Sequence, residues 1–250
     1  MGKRRIVLVL AQMFVVLFAL CGVTALFGAD KKQRAESPVV DSGSFGIFVG
    51  GRRVATETFT IKQQPDVSIA TSELKVDDGK VKATQTSRLE LTPSGTLRKY
   101  EWRELSPGKS QATVEPSDQF LVERTVVNNK TVEQPFLVPA SSMVLDDYFF
   151  SHREILAWRY LGSTCKVPPG GTSCELPKSQ FGIVVPRQRT AAMISIEFKG
   201  REQVNIRGQE MQLSRFNLEA DGGNWAMWLD SNHKLIRIVI DSDGTEVVRD

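Results

Sequence analysis

The chain has 250 residues, enough for one domain with a substantial core or at most two small ones. Its formal net charge of +3 comes wholly from the first 29 residues, where Lys3, Arg4 and Arg5 face no acidic residue. Taking those three from the 32 basic residues leaves 29 against 29 acidic ones, so the rest lacks the overall basic footprint of a nucleic-acid binder.

The three basic residues precede an apolar run from Ile6 to about Ala29, interrupted mainly by Gln12. That order predicts an export signal over residues 1–29. Val23 and Ala25 offer a small-x-small cleavage site after Ala25. The run is also long enough to stay as an N-terminal membrane anchor. Both alternatives place the remainder of the chain outside the cytoplasm, periplasmic or extracellular, because positive charge before the run keeps that end inside. Lipid anchoring through Cys21 fits less well, since bulky Leu20 precedes it.

Residues 30–43 are polar, with Ser37, Pro38, Ser42 and Gly43, and read as a linker. A single domain is expected over 44–250. Phe45, Ile47 and Val49 alternate with small residues, Gly50-Gly51 supplies a turn, and Val54–Ile61 returns as the second arm of a hairpin. Further short strands are expected at 67–76, 81–91, 97–104, 111–114, 120–127 and 132–138. Turn formers separate them, among them Asp77-Asp78-Gly79, Pro93-Ser94-Gly95 and Asn128-Asn129.

Residues 146–161 break the rhythm and predict a helix. Phe149, Leu156 and Tyr160 share a face, and Asp146 and Asp147 suit its N-terminal end. Strands resume at 181–185 and 192–198. A hairpin comes next about Arg207-Gly208-Gln209, with a parity slip that predicts a bulge near Ser214-Arg215. Trp225–Leu229, Leu235–Ile240 and Glu246–Arg249 complete the chain. The whole predicts a mainly β fold: a strongly curved antiparallel sheet or half-barrel with one principal helix.

Cys165 and Cys174 enclose a turn-rich loop from Lys166 to Ser173, and in an oxidising compartment they are expected to form a disulfide. His152 and His233 are the only histidines. Helix packing accounts for His152 and an exposed turn for His233. No nucleophile elbow, phosphate-binding loop or dinucleotide motif occurs, so no catalytic residue, metal ligand or cofactor is assigned.

The aromatic residues carry more information. Trp102, Phe149, Trp158, Tyr160, Trp225 and Trp228 are the candidates to line an apolar cavity, with ordinary core packing as the alternative. Trp225 and Trp228 differ in parity, so one strand would turn them to opposite faces.

The hairpin from Phe45 to Glu57, the run Leu145-Asp-Asp-Tyr-Phe-Phe150, and the closing segments Met227-Trp-Leu-Asp230 and Leu235-Ile-Arg-Ile238 resemble exported bacterial domains of unknown function. Those in turn resemble the Lol-type lipoprotein carriers, a curved antiparallel half-barrel closed by a helix. The resemblance spans about 45–250 and implies a cavity for an acyl chain or another apolar ligand. It supplies no catalytic residue. The expectation is therefore a non-enzymatic envelope protein whose partner is a lipid or apolar small molecule. It touches the membrane only through its N-terminal segment and has no nucleic-acid role. The alternative is a structural or protein-interaction module of the envelope, with a protein partner there.

Overall fold

A computed structural model describes residues 38–139, 141–166, 173–174, 178–220 and 223–250. They belong to one compact unit, Ser37–Asp250. The expected export segment and residues 30–37 of the expected linker lie outside the described residues.

The first strand, β1 (Val39–Val49), starts five residues before the expected domain boundary. Residues 39–43 are thus strand rather than linker. The reason is Asp41, which is buried and holds Arg249 near the other end of the described fold through two 2.8 Å bonds to Arg249 Nη2. A polar composition there reflects a charged anchor, not a free tether.

The chain then runs through β2 (Arg52–Gln63), β3 (Ser68–Asp77), β4 (Lys82–Leu91), β5 (Leu97–Ser106), β6 (Gln111–Ser117), β7 (Phe120–Val127) and β8 (Lys130–Phe136). Each of these pairs antiparallel with its neighbour in sequence. After a short β9 (Met143–Val144) comes the helix α1 (Ser151–Thr164). A small ladder of β10 (Cys165–Lys166) and β11 (Ser173–Cys174) follows. A second meander comprises β12 (Lys178–Val185), β13 (Thr190–Ile206), β14 (Gln209–Ala220), β15 (Gly223–Leu229), β16 (Leu235–Ile240) and β17 (Thr245–Arg249). Pairing of β1 with β17 joins the two meanders, and β9 adds parallel to β12. The result is one large, strongly curved, unclosed sheet ordered from β8 at one edge to β9 at the other.

Period-2 alternation decides which residues face the concavity. In β2 the inward set is Ala55, Glu57, Phe59 and Ile61, and in β3 it is Ala70, Ser72 and Leu74. Phe45 and Phe59 stack across β1 and β2 with ring centroids 4.9 Å apart. Burying each such aromatic stabilises the fold by roughly 1.5–3 kcal/mol.

The helix differs from expectation at its N-terminal end. It begins at Ser151, not Asp146, and runs on to Thr164. Asp146 and Asp147 precede it in a turn, where Phe149 N–H donates to the Asp146 carbonyl at 3.3 Å. Asp146 cannot cap the helix because its carboxylate is taken by Tyr100 and Arg187. The cap position is Phe150, which has no capping side chain. Residues 151–157 are all buried, because the helix lies within the core cluster rather than on its outside. Such a helix needs no single apolar stripe.

The bulge also lies elsewhere than expected. It falls in β13, where Phe198 pairs with Phe216 and Gly200 with Arg215, leaving Lys199 as the extra residue. Ser214-Arg215 sits on the facing strand, so the parity slip is real but the added residue belongs to its partner. Gly200 adopts φ +108°, a conformation that favours glycine.

Candidate functional site

The helix fills only part of the concavity. Beyond its N-terminal end a cavity of about 1010 Å³ remains, at the top of the roughly 300–1,000 Å³ span of small-molecule sites. Ile47 and Leu74 line it from the first meander, and Ile194, Leu218 and Trp225 from the second. Arg52, Asp78, Asp147, Gln188 and Asp243 also contribute, all of them partly or fully exposed. The alternation that builds a core thus also builds an apolar cavity where no helix residue arrives to fill it.

Arg153 is the charged group of this wall that is buried, with 3% of its surface exposed. Its Nη1 donates to the carbonyls of Asp146 and Phe149, the latter at 3.0 Å. Its guanidinium lies 4.9 Å from the Trp225 ring centroid and 5.4 Å from that of Phe150. Its Nε has no hydrogen-bond partner among the described residues. Burial pulls its pKa below the ordinary arginine value, while Asp147, Asp146 and Glu57 pull it back up.

The wall behind Arg153 is a polar network. Arg187 Nε donates to Asp146 Oδ1 at 2.6 Å, and Tyr100 OH donates to Asp146 Oδ2. Burial and the Asp146 carboxylate hold the Tyr100 hydroxyl well above its usual pKa, so it stays a donor. His152 is buried with its Nδ1 accepting the Asp146 N–H at 3.4 Å. Burial, with Arg153 and Arg187 adding to it, lowers its pKa to about 3. This neutral imidazole packs edge-on against the Tyr100 ring, with centroids 5.6 Å apart.

Glu57 supplies the helix cap that Asp146 does not. Its carboxylate accepts the Phe150 N–H at 2.6 Å, the Ser151 hydroxyl at 2.7 Å and the Ser72 hydroxyl at 2.8 Å. Burial raises its pKa, opposed by these hydrogen bonds. A Glu–Ser pair invites a catalytic interpretation, but Glu57, Ser72 and Ser151 are buried, and none of them borders the cavity. The arrangement satisfies a helix terminus.

The six sequence-selected aromatics divide sharply. Trp225 borders the cavity. Phe149 and Tyr160 are wholly buried in the core around the helix, and the Tyr160 hydroxyl accepts the Phe198 N–H at 3.1 Å. Trp158 is half-buried and donates to the His233 carbonyl at 2.6 Å. Trp102 is buried, with its Nε1 donating to Gln85 at 3.2 Å. Trp228 lies in a separate small cluster with Val204 and Leu213 and donates to Glu202 at 2.6 Å. Five of the six are therefore committed to packing away from the cavity. Tyr148 and Phe150, the aromatics that do join Trp225 there, belong to the turn before the helix. Arg153 and Glu57 had no aromatic or motif signal. A carboxylate at the inward parity of β2, between Ala55 and Phe59, was the available clue for Glu57.

Cys165 and Cys174 form a disulfide at the end of the helix, remote from the cavity lining. Among the described residues no group of three or more His, Cys, Asp or Glu side chains is placed to hold a metal ion. No helix among them is long and apolar enough to cross a membrane. The fold and cavity define an open antiparallel half-barrel with an internal helix and an apolar recess at the helix N-terminus. The chain matches no protein-family model, and comparison with curated proteins and with solved structures returns no match.

Proposed function

We propose that this protein binds a lipid or another apolar molecule in the recess at the helix N-terminus, without chemistry on it. The observation that carries this reading is the recess itself. Inward-facing aliphatic residues of both meanders continue into it from the core, yet no side chain of the described protein fills it. An apolar surface left unfilled inside a fold is costly unless something covers it. The resemblance of residues 45–250 to the Lol-type carriers points the same way. We place the domain outside the cytoplasm, on the basic-then-apolar order of residues 3–29 and on the Cys165–Cys174 disulfide, which suits an oxidising compartment.

Filling the recess tests this reading. Ala192 borders it from β13, and the Ala192→Trp substitution places an indole in the empty volume. A fluorescent fatty-acid probe is expected to bind the wild type and to lose at least about tenfold in affinity to the variant, a loss of some 1.4 kcal/mol. The variant should melt within a few degrees of the wild type, because the added ring occupies space already present. Equal probe affinity in the two proteins would remove the recess as the binding site.

A further inference from the structure

We infer that the ligand of this recess is a single-chain amphiphile with an oxyanion head, and that Arg153 receives that head. The inference rests on the apolar-ligand reading and adds the chemistry of the polar end.

Arg153 projects from the first turn of the helix, is almost wholly buried, and borders the recess. Its neighbours leave it incompletely served. Nη1 is engaged by two backbone carbonyls, Nε has no partner, and no carboxylate among the described residues forms an ion pair with it. The nearby acids are occupied elsewhere. Asp146 is held by Arg187 and Tyr100, Glu57 by the helix terminus, and Asp147 accepts from Gln188 Nε2 at 2.6 Å. A buried guanidinium whose nearby carboxylates are committed to other donors keeps electrostatic capacity for one more anion, and a carboxylate or phosphate entering the recess would use it. The faces of Trp225 and Phe150 hold the guanidinium in place, so less ordering is needed when the anion arrives.

The rest of the lining suits the chain of such a molecule. Ile47, Leu74, Ile194 and Leu218 offer no hydrogen bond, and the other lining arginine, Arg52, is exposed and donates to the Asp78 carbonyl at 2.6 Å, so the polar end gains most at the buried Arg153. The acids that border the recess are exposed or half-exposed and solvent-screened, and Asp78 already accepts the backbone N–H groups of Lys80 and Val81 at 2.7 Å.

The test compares ligands of equal chain length on the purified full chain. Palmitate is expected to bind at least about tenfold more tightly than 1-hexadecanol, which has the same chain and no charge. In Arg153→Met that preference should vanish, and in Arg153→Lys it should survive in part. Palmitoyl lysophosphatidic acid distinguishes the source of the oxyanion: whichever of it and palmitate binds more tightly names a phosphate or a carboxylate head. Should Arg153→Met fail to fold, the reduced preference expected of Arg153→Lys carries the assignment, and an undiminished preference there would overturn it. Hexadecanol binding as tightly as palmitate would overturn the assignment of Arg153 and leave the apolar-ligand reading standing. Failure of all three ligands to bind would overturn both.

Discussion

Replacing Glu57 with alanine is expected to destabilise the fold by about 4 kcal/mol, because it strands buried donors at the start of the helix. The backbone N–H groups of Phe150 and Ser151 point at this carboxylate, and the hydroxyls of Ser72 and Ser151 donate to it. The two hydroxyls lie 3.0 Å apart and can bond each other once the carboxylate is gone. The two amides have no such alternative. For a domain of this size the loss corresponds to a fall of roughly 10 °C in Tm. Glu57→Gln keeps one acceptor oxygen and should cost less than half as much. Thermal unfolding of the two variants checks this, and an alanine variant within about 1 kcal/mol of the wild type would show that the cap is dispensable.

The second large effect is a dependence of stability on pH, centred on Glu154. This residue is buried beside Asp41, with Arg249 Nη1 at 3.6 Å. Burial, and then the neighbouring Asp41 carboxylate, push the Glu154 pKa up to about 9. Asp41 goes the other way. Burial raises it, but the neighbouring Glu154 and the bound Lys234 and Arg249 outweigh that and bring it below the ordinary aspartate value. Glu154 is thus held as the neutral acid next to an ionised Asp41.

The sign is set by proton counts. Between pH 4.5 and 9 the folded state keeps a proton on Glu154 that the unfolded chain has lost, so stability falls as pH rises through that window. His152 acts oppositely. It stays neutral in the fold down to about pH 3, so it adds stability that is lost as pH falls from 6.5 to 3. The raised pKa of Glu57 has the same sign as Glu154. The lowered ones of Asp41 and Asp250 contribute stability that is lost under acid conditions. The two main slopes offset each other from about 4.5 to 6.5, leaving the decline above 6.5 unopposed. Its size is about 1.4 kcal/mol per pH unit, or roughly 3 kcal/mol by pH 9. Glu154→Gln removes the titrating proton and is expected to cut that decline by at least half. Denaturant unfolding from pH 5 to 9 measures it. A wild-type profile that is level or rises above pH 6.5, or an unchanged slope in the variant, would contradict the assignment.

Much of the architecture was legible because strand alternation is a local signal. Phe45-x-Ile47-x-Val49, the Gly50-Gly51 turn and the returning Thr-rich strand are a hairpin in both sequence and structure. Trp225 and Trp228 do lie on opposite faces, as their parity required. The cysteine pair and the curved sheet with its single principal helix were readable in the same way.

What escaped depends on partners distant in sequence. Glu57 caps a helix whose Phe150 lies 93 residues away, so no cap motif marks that helix start. Asp41 reaches across 208 residues to Arg249, and that bond turns an apparent linker into strand. The aromatic set misled in a specific way. Large side chains on the helix are drawn into the core it fills, while an unfilled recess is lined by smaller residues such as Ala55, Ala192 and Ala220. A cavity is recorded by where bulk is missing, and composition alone does not show where bulk is missing.

Occupancy of that recess is the decisive observable. Native mass spectrometry of the protein purified from the organism that encodes it measures this directly. The predicted result is a complex heavier than the chain by the mass of one acyl-chain amphiphile, released on activation and absent from Ala192→Trp. A bare chain mass, in protein that also fails to take up an added fatty-acid probe, would contradict it.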